Sequence, residues 1–182
     1  MLDLSFSHAA AWRLGRTHFT YAGDAPRPRG LLIGEAPGPN TNAKLPLFPL
    51  PSNSAGGRLL KYAEIDPADF LGRLVRMNLC DDEWSERRAV AGRVRAQTWL
   101  LDKTNWYEGK PLRVLLLGVR VARAWACHGP FGYTVFDFYS HAEVGIAWIP
   151  HPSGRCHLYN DRKNQLRARR AVQWAVGERE TP

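Results

Sequence analysis

Gly30-Leu31-Leu32-Ile33-Gly34-Glu35-Ala36-Pro37-Gly38 is a short apolar run that ends abruptly in a turn. Gly30–Ile33 reads as a buried strand, and the glycines and Pro37 that follow cannot continue one. The same grammar recurs along the chain. Leu74–Leu79 reads as a second strand and runs into Asn78-Leu79-Cys80-Asp81-Asp82. Arg113–Leu117 is an unbroken apolar strand of the kind buried on both faces, and Gly118 leads into a helix over Val119–Ala126. Gly145–Pro150 is the last strand, and it ends in His151-Pro152-Ser153-Gly154-Arg155.

Helical segments lie between these strands. Gly57–Ile65 is one. Ser85 is a good N-cap for a long helix reaching about Leu101, with Val90, Val94, Leu100 and Leu101 near one stripe. An amphipathic helix runs from Asp161 to Val176, with Arg162, Lys163, Arg167, Arg169 and Arg170 on its exposed side. Pro46, Pro49 and Pro51 make Leu45–Pro51 an ordered loop rather than part of a sheet. Residues 1–29 read as peripheral to a single domain spanning 1–182: a short segment near Ala9–Leu14, then the Pro/Gly/Arg-rich loop Gly23–Gly30. Strands alternating with helices predict an α/β fold, its parallel sheet covered on both faces. In such sheets ligands bind beyond the carboxyl ends of the strands. The turns at 34–42, 78–82 and 151–158 follow three predicted strands and should meet in one crevice.

Composition narrows the partner. The chain has 182 residues, 45% of them apolar, seven Trp and a formal charge of +8 carried mostly by Arg. Arginine's fork suits phosphate oxygens, so an anionic partner is expected, of which nucleic acid is the commonest but which composition alone does not single out. Cys80, Cys127 and Cys156 are far apart and form no C-x-x-C pair; His128, His141 and His157 have no ligand spacing with them or with each other. No metal, no iron–sulfur cluster and no cofactor are expected. The N-terminus has no signal-peptide pattern, and no stretch approaches the ~20 apolar residues of a membrane span. A monomeric cytoplasmic protein is therefore expected. A small-molecule nucleotide binder would want a G-x-G-x-x-G fingerprint after the first strand, which this chain does not supply.

The three turns together resemble the uracil-DNA glycosylase superfamily. Gly34-Glu35-Ala36-Pro37-Gly38 is similar to the first motif of its iron–sulfur-containing branch, Asn78 to its strand-end base-reading Asn, and His151-Pro152-Ser153 to its last motif. Leu47-Phe48, followed by Gly56-Gly57-Arg58-Leu59-Leu60, resembles the segment that supplies an aromatic ring under the flipped base. The resemblance covers most of the chain after residue 30. It implies a three-layer α/β/α sandwich with a central, mostly parallel four-stranded sheet, and a monofunctional DNA glycosylase that leaves an abasic site. The cluster cysteines of that branch are absent, and Pro39, Asn40, Thr41 and Asn42 stand where it often has acidic residues.

Such an enzyme needs a donor facing the departing base, a positioned water and a pocket for the extruded ring. The resemblance assigns His151 as the electrostatic catalyst. Glu35 is the carboxylate of the first motif and the first choice for holding the water, with Asn40 or Asn42 as runner-up, since Ala36 stands where the most efficient branch has an Asp. Gly34, Ala36, Pro37, Gly38, Phe48 and Asn78 would form the base pocket. The Asn78 amide, both donor and acceptor, suits uracil or, turned over, cytosine. Gly38 occupies the slot where the uracil-restricted branch carries a Tyr that blocks C5. Ser153, Gly154 and Arg155 would grip DNA, as would Arg167 and Arg170 on the last helix. Two substrates stay open: uracil, in base-excision repair, or a C5-enlarged pyrimidine such as the glucosylated hydroxymethylcytosine of some phage genomes, in antiviral defence. Open space at Gly38 and the polar run Ser52-Asn53-Ser54 favour the second. The alternative from another class is a non-catalytic DNA-binding relative that recognises modified bases.

Overall fold

Leu31, Leu32 and Ile33 have no exposure to solvent, because the strand they form is paired on both edges and covered on both faces. The computed structural model describes residues 13–14, 17–18, 29–38, 45–104, 112–125, 138–141, 144–178 and 181–182. In chain order the elements are β1 (Arg13–Leu14), β2 (Thr17–His18), β3 (Gly30–Gly34), α1 (Ala55–Ala63), α2 (Pro67–Arg73) and β4 (Leu74–Asn78). They continue with α3 (Glu86–Thr104), β5 (Leu112–Leu117), α4 (Val119–Trp125), β6 (Phe138–His141), β7 (Val144–Ile149), a 3-10 turn (His157–Asn160) and α5 (Arg162–Ala175).

The main sheet has the order β4-β3-β5-β7-β6. The first four of these strands are mutually parallel, with Gly30 opposite Leu74 and Arg113, and Leu112 opposite Val144. Sequence alternation assigns the faces. Leu31, Ile33, Val114 and Leu116 join one apolar cluster with Ala89, Val121 and Trp125 of α3 and α4. Leu32, Leu115 and Leu117 join another with Leu59, Phe70, Val172 and Trp174 of α1, α2 and α5. The protein is thus a three-layer α/β/α sandwich around four parallel strands. Among the described residues, no helix is long and apolar enough to cross a membrane.

Some elements differ from the sequence reading. The antiparallel edge strand β6 pairs with β7 through Phe138 opposite Ala147, and adds a fifth strand to the expected four. Helix α2 was legible in principle: Asp66 caps it, accepting from the Ala68 amide at 2.7 Å, and Pro67 is its first residue. The stripe assigned to α3 holds at Leu100 but not at Val90 or Val94, and the Leu101 side chain lies outside the described residues. Ser85 does cap the helix, its Oγ accepting from the Arg88 amide, but Val90 and Val94 are exposed while Ala89, Ala96 and Leu100 are buried. The helix turns its small residues inward because it lies directly on the backbone at Leu79, where a Cβ on Gly92 would overlap the Leu79 carbonyl.

Gly92→Ala should therefore destabilise the fold. The methyl gains ~1 kcal/mol of helix propensity but forces a backbone overlap costing on the order of 3 kcal/mol. Val94→Lys, on the exposed side, should stay within about 0.5 kcal/mol of wild type. Urea denaturation of both variants checks the assignment; the reverse ranking would mean that the helix face is misplaced.

Candidate functional site

The carboxyl ends of β3, β4, β5 and β7 all lie on one edge of the sheet, and there the polar turns meet. A cleft of about 290 Å³ is lined by Ala36, Pro37 and Gly38 after β3, by Asn78 at the end of β4, and by His151 and Ser153 after β7. The 45–51 loop and the first turn of α1 close its other side. The convergence read from the three turns is what the fold delivers. Asn40 and Asn42 lie outside the described residues.

Phe48 reaches the cleft because its loop is seated on α1. A Cβ at Gly56 would overlap the carbonyls of Leu47 and Phe48, so the glycine lets the loop backbone lie flush on the helix. Ser54 fixes the seat from both directions: its hydroxyl donates to the Phe48 carbonyl at 2.9 Å and accepts from the Gly57 amide at 3.0 Å. Leu47 takes a positive φ of 53° to make the turn, a conformation that costs a side-chain-bearing residue about 1 kcal/mol or more. Ser54 gives its hydroxyl proton to the Phe48 carbonyl and still lines the cleft. Ser52 and Asn53 are exposed.

Asn78 leans over the neighbouring strand. A Cβ on Gly34 would sit 2.5 Å from Asn78 Oδ1, so Gly34 serves the cleft by making room for that amide. The turn behind it is pinned by backbone bonds from the Leu79 amide to the Gly34 carbonyl, 3.0 Å, and from the Cys80 amide to the Glu35 carbonyl, 2.9 Å.

His151 and Glu35 flank one point at the start of α4. Gly118 has φ +101°, and a Cβ built there would lie 2.8 Å from Glu35 Oε1 and 3.2 Å from the His151 Cβ. Burial pushes the His151 imidazole below its ordinary pKa, so it is neutral at pH 7 and can donate one ring N–H. Burial pushes the Glu35 carboxyl up, opposed by Arg120, whose Nη1 lies 3.8 Å from Oε2. Glu35 is not among the residues lining the cleft; it stands behind His151, against the amino end of α4.

The turn after His151 is tight, with the Ser153 amide bonded to the His151 carbonyl at 2.8 Å and the Cys156 amide to the Ser153 carbonyl at 3.1 Å. Gly154 and Arg155 are exposed on its outer side. Helix α5 runs back down the sheet: the Arg113 guanidinium donates to the Trp174 carbonyl at 2.6 Å, near the amino end of β5. At 1.5 Å per residue, Arg170 lies roughly 12 Å further along that helix than Arg162. Arg162 and Lys163 are thus nearer the cleft end than the expected Arg167 and Arg170, and Arg169 is paired with Glu64 at 2.7 Å.

Three residues at or beneath the cleft escaped the sequence reading. Arg58 lines the cleft and packs against the 151–155 turn, where a Cβ on Gly154 would lie 2.8 Å from its Nη2. Tyr159 donates to the Pro150 carbonyl at 2.6 Å and stacks on Tyr62 with ring centres 4.8 Å apart, tying the His151 turn to α1. Arg76 is fully buried beneath Phe48, and its only sequence signal was a charge inside an apolar strand. Among the described residues no three His, Cys, Asp or Glu side chains are grouped to hold a metal; Cys127 lies outside them. No protein-family model and no curated protein sequence matches the chain.

The raised Glu35 pKa has a stability consequence. Its folded value lies above its ordinary value of 4.5, so stability is lost as pH rises from about 4.5 toward the folded value. Glu35→Gln should match wild type near pH 4 and melt at a higher temperature near pH 7. A melting difference that does not change between those pH values would sink this assignment.

Proposed function

We propose that the chain is a monofunctional DNA glycosylase that binds one extruded pyrimidine and hydrolyses its N-glycosidic bond, leaving an abasic site. The observation that carries this reading is the meeting of Asn78, Phe48 and His151 on one small cleft at the strand ends. These are an edge reader, a stacking face and a neutral donor, which together are what a flipped base requires. At about 290 Å³ the cleft is at the small end of ligand pockets, suited to one base. The sequence resemblance to the uracil-DNA glycosylase superfamily supports the same assignment.

In this mechanism Phe48 stacks on the base and the Asn78 amide pairs with its Watson–Crick edge. As the C1′–N bond lengthens, electrons move into the ring, and His151 donates its N–H to the base oxygen where charge collects. A neutral imidazole suits this, because it gives up no proton and needs none returned. Glu35, half-buried beside His151, is our choice for the group that holds the water attacking the sugar; as the water oxygen bonds C1′ its proton passes to Glu35, and through solvent to the departed base anion. Ser153, Arg155 and Arg58 at the rim would take backbone phosphates, with the protein acting as a monomer on DNA in the cytoplasm. Gly38 lines the cleft with no side chain of its own, which favours a pyrimidine enlarged at C5, such as glucosylated hydroxymethylcytosine, over uracil alone.

His151→Ala should lower base excision by roughly 10²-fold or more while the protein keeps its fold and DNA affinity. The assay is alkali-labile site formation on defined oligonucleotides and on phage DNA with modified pyrimidines. Wild-type activity should hold through neutrality and decline only as pH falls below 6.5, where His151 gains a proton. DNA binding without abasic sites on any substrate would replace the enzyme reading by a modified-base-binding protein.

Gly38→Tyr should separate the two substrates. The ring would fill the C5 side, so kcat/KM for a C5-enlarged pyrimidine should drop far more than that for uracil. Equal losses on both would mean that the substitution only distorts the turn.

A further inference from the structure

Strand β4 alternates its side chains so that Leu74, Arg76 and Asn78 share one face of the sheet, and Leu32 lies opposite Arg76 in the register. Arg76 is therefore two residues, about 7 Å, below the cleft-lining Asn78 on the same face. It has no solvent exposure. None of its guanidinium nitrogens has a hydrogen-bond partner among the described residues. What it does have is an aromatic face: its Cζ lies 5.7 Å from the centre of the Phe48 ring, and Phe48 lines the cleft. Burial lowers its pKa to about 10, so the group still carries its charge at neutral pH.

An unpaired buried charge is destabilising, and a Met or Leu would fill the same space without that cost. The ring of Phe48 compensates in part, since its negative face meets the cation. Phe48 touches that charge and also lines the cleft. Among the described residues lining it none is acidic, while Arg58 and the amino end of α1 add positive potential of their own.

We propose that Arg76 is a positioning residue that makes the cleft select a planar ring carrying delocalised negative charge, acting through Phe48 without touching the ligand. A ring stacked ~3.5 Å beyond Phe48 would sit roughly 9 Å from the guanidinium, with only the aromatic ring between them and no water to screen the attraction. The inference rests on the reading of the cleft as a base pocket. There the anionic ring is the base at the moment its glycosidic bond has broken, so Arg76 would favour departure of acidic bases. His151 acts at one oxygen; Arg76 acts on the whole ring from below.

The test uses two free pyrimidines of similar shape: barbiturate, an anion at neutral pH, and uracil, which is neutral. Calorimetric titration of the intact wild-type protein should give barbiturate at least about tenfold tighter binding than uracil. Arg76→Met should erase that preference and at the same time raise the melting temperature, an outcome that loss of a structural arginine would not produce. Arg76→Lys, which keeps a charge, should retain part of the preference. The inference is overturned if Arg76→Met binds the anion preferentially as wild type does, or if wild type binds neither ring or does not distinguish them. The glycosylase reading is judged separately, by abasic-site formation on oligonucleotides. A wild type that excises bases yet shows no preference for barbiturate rejects the role of Arg76 alone.

Discussion

Parallel pairing of β3 on both its edges is the constraint from which the rest follows. A strand that gives its hydrogen bonds to β4 on one side and β5 on the other, with helices over both faces, has no position from which a side chain can reach water. Leu31, Leu32 and Ile33 satisfy that demand, and polar chemistry is pushed to the place where the ladder stops. Because all four parallel strands stop at the same edge, Glu35, Asn78, Gly118 and His151 become neighbours although the sequence separates them widely. The order β4-β3-β5 also puts the chain reversal of the sheet at β3, the place where open α/β sheets form a crevice.

The far wall of that crevice is built on a different principle. The 45–51 loop has no strand to define its course, and its prolines keep it out of any ladder. It is held instead by contact with the first turn of α1, where two glycines remove the side chains that would lift it away and Ser54 bonds both loop and helix. A proline-stiffened loop on a helix leaves the Phe48 ring little conformational entropy to lose when a ligand packs on it. Tyr159 gives the His151 turn comparable support from the opposite side, through its bond to the Pro150 carbonyl. The rigidity of the site therefore comes from α1, which touches both walls.

Most of the frame was legible because burial on two faces writes itself as unbroken apolar runs. Gly30–Ile33, Leu74–Leu79, Arg113–Leu117 and Gly145–Pro150 all proved to be strands within a residue or two. Edge strand β6 was missed because it is four residues long and antiparallel to its one neighbour, so neither length nor pattern marks it. The face of α3 was misread because large apolar residues were taken as the buried ones. In fact the closeness of the helix to Leu79 selects Ala and Gly, and Val90 and Val94 are left outside. In the site, the residues that end strands were legible; those whose role depends on another element were not. Arg58 joins the cleft where the 151–155 turn packs against it, and Arg76 lies beneath it because a loop nearly thirty residues upstream lays a ring over it.

The distribution of charge around the cleft is consistent with a single electrostatic purpose. Carboxylates are absent from its described walls, and Glu35, which approaches His151 near Gly118, faces Arg120 at the amino end of α4. That separation has physical logic. A carboxylate facing the ring would repel charge building there, whereas one set toward the sugar can hold a water and oppose the positive charge that develops on the other fragment. The reaction proposed for the cleft would separate charge, with the base becoming negative and the sugar positive. Under the proposed reaction, the Arg76 guanidinium beneath Phe48 and the Glu35 carboxyl outside the cleft would each stand on the side of the charge it favours, so that little reorganisation would be needed as the charges form. His151 lines the cleft and approaches Glu35 near Gly118, where an imidazolium would be drawn toward the carboxylate and away from a base in the cleft. Burial, which keeps His151 uncharged, and the offset of Glu35 from the cleft are two parts of the same arrangement.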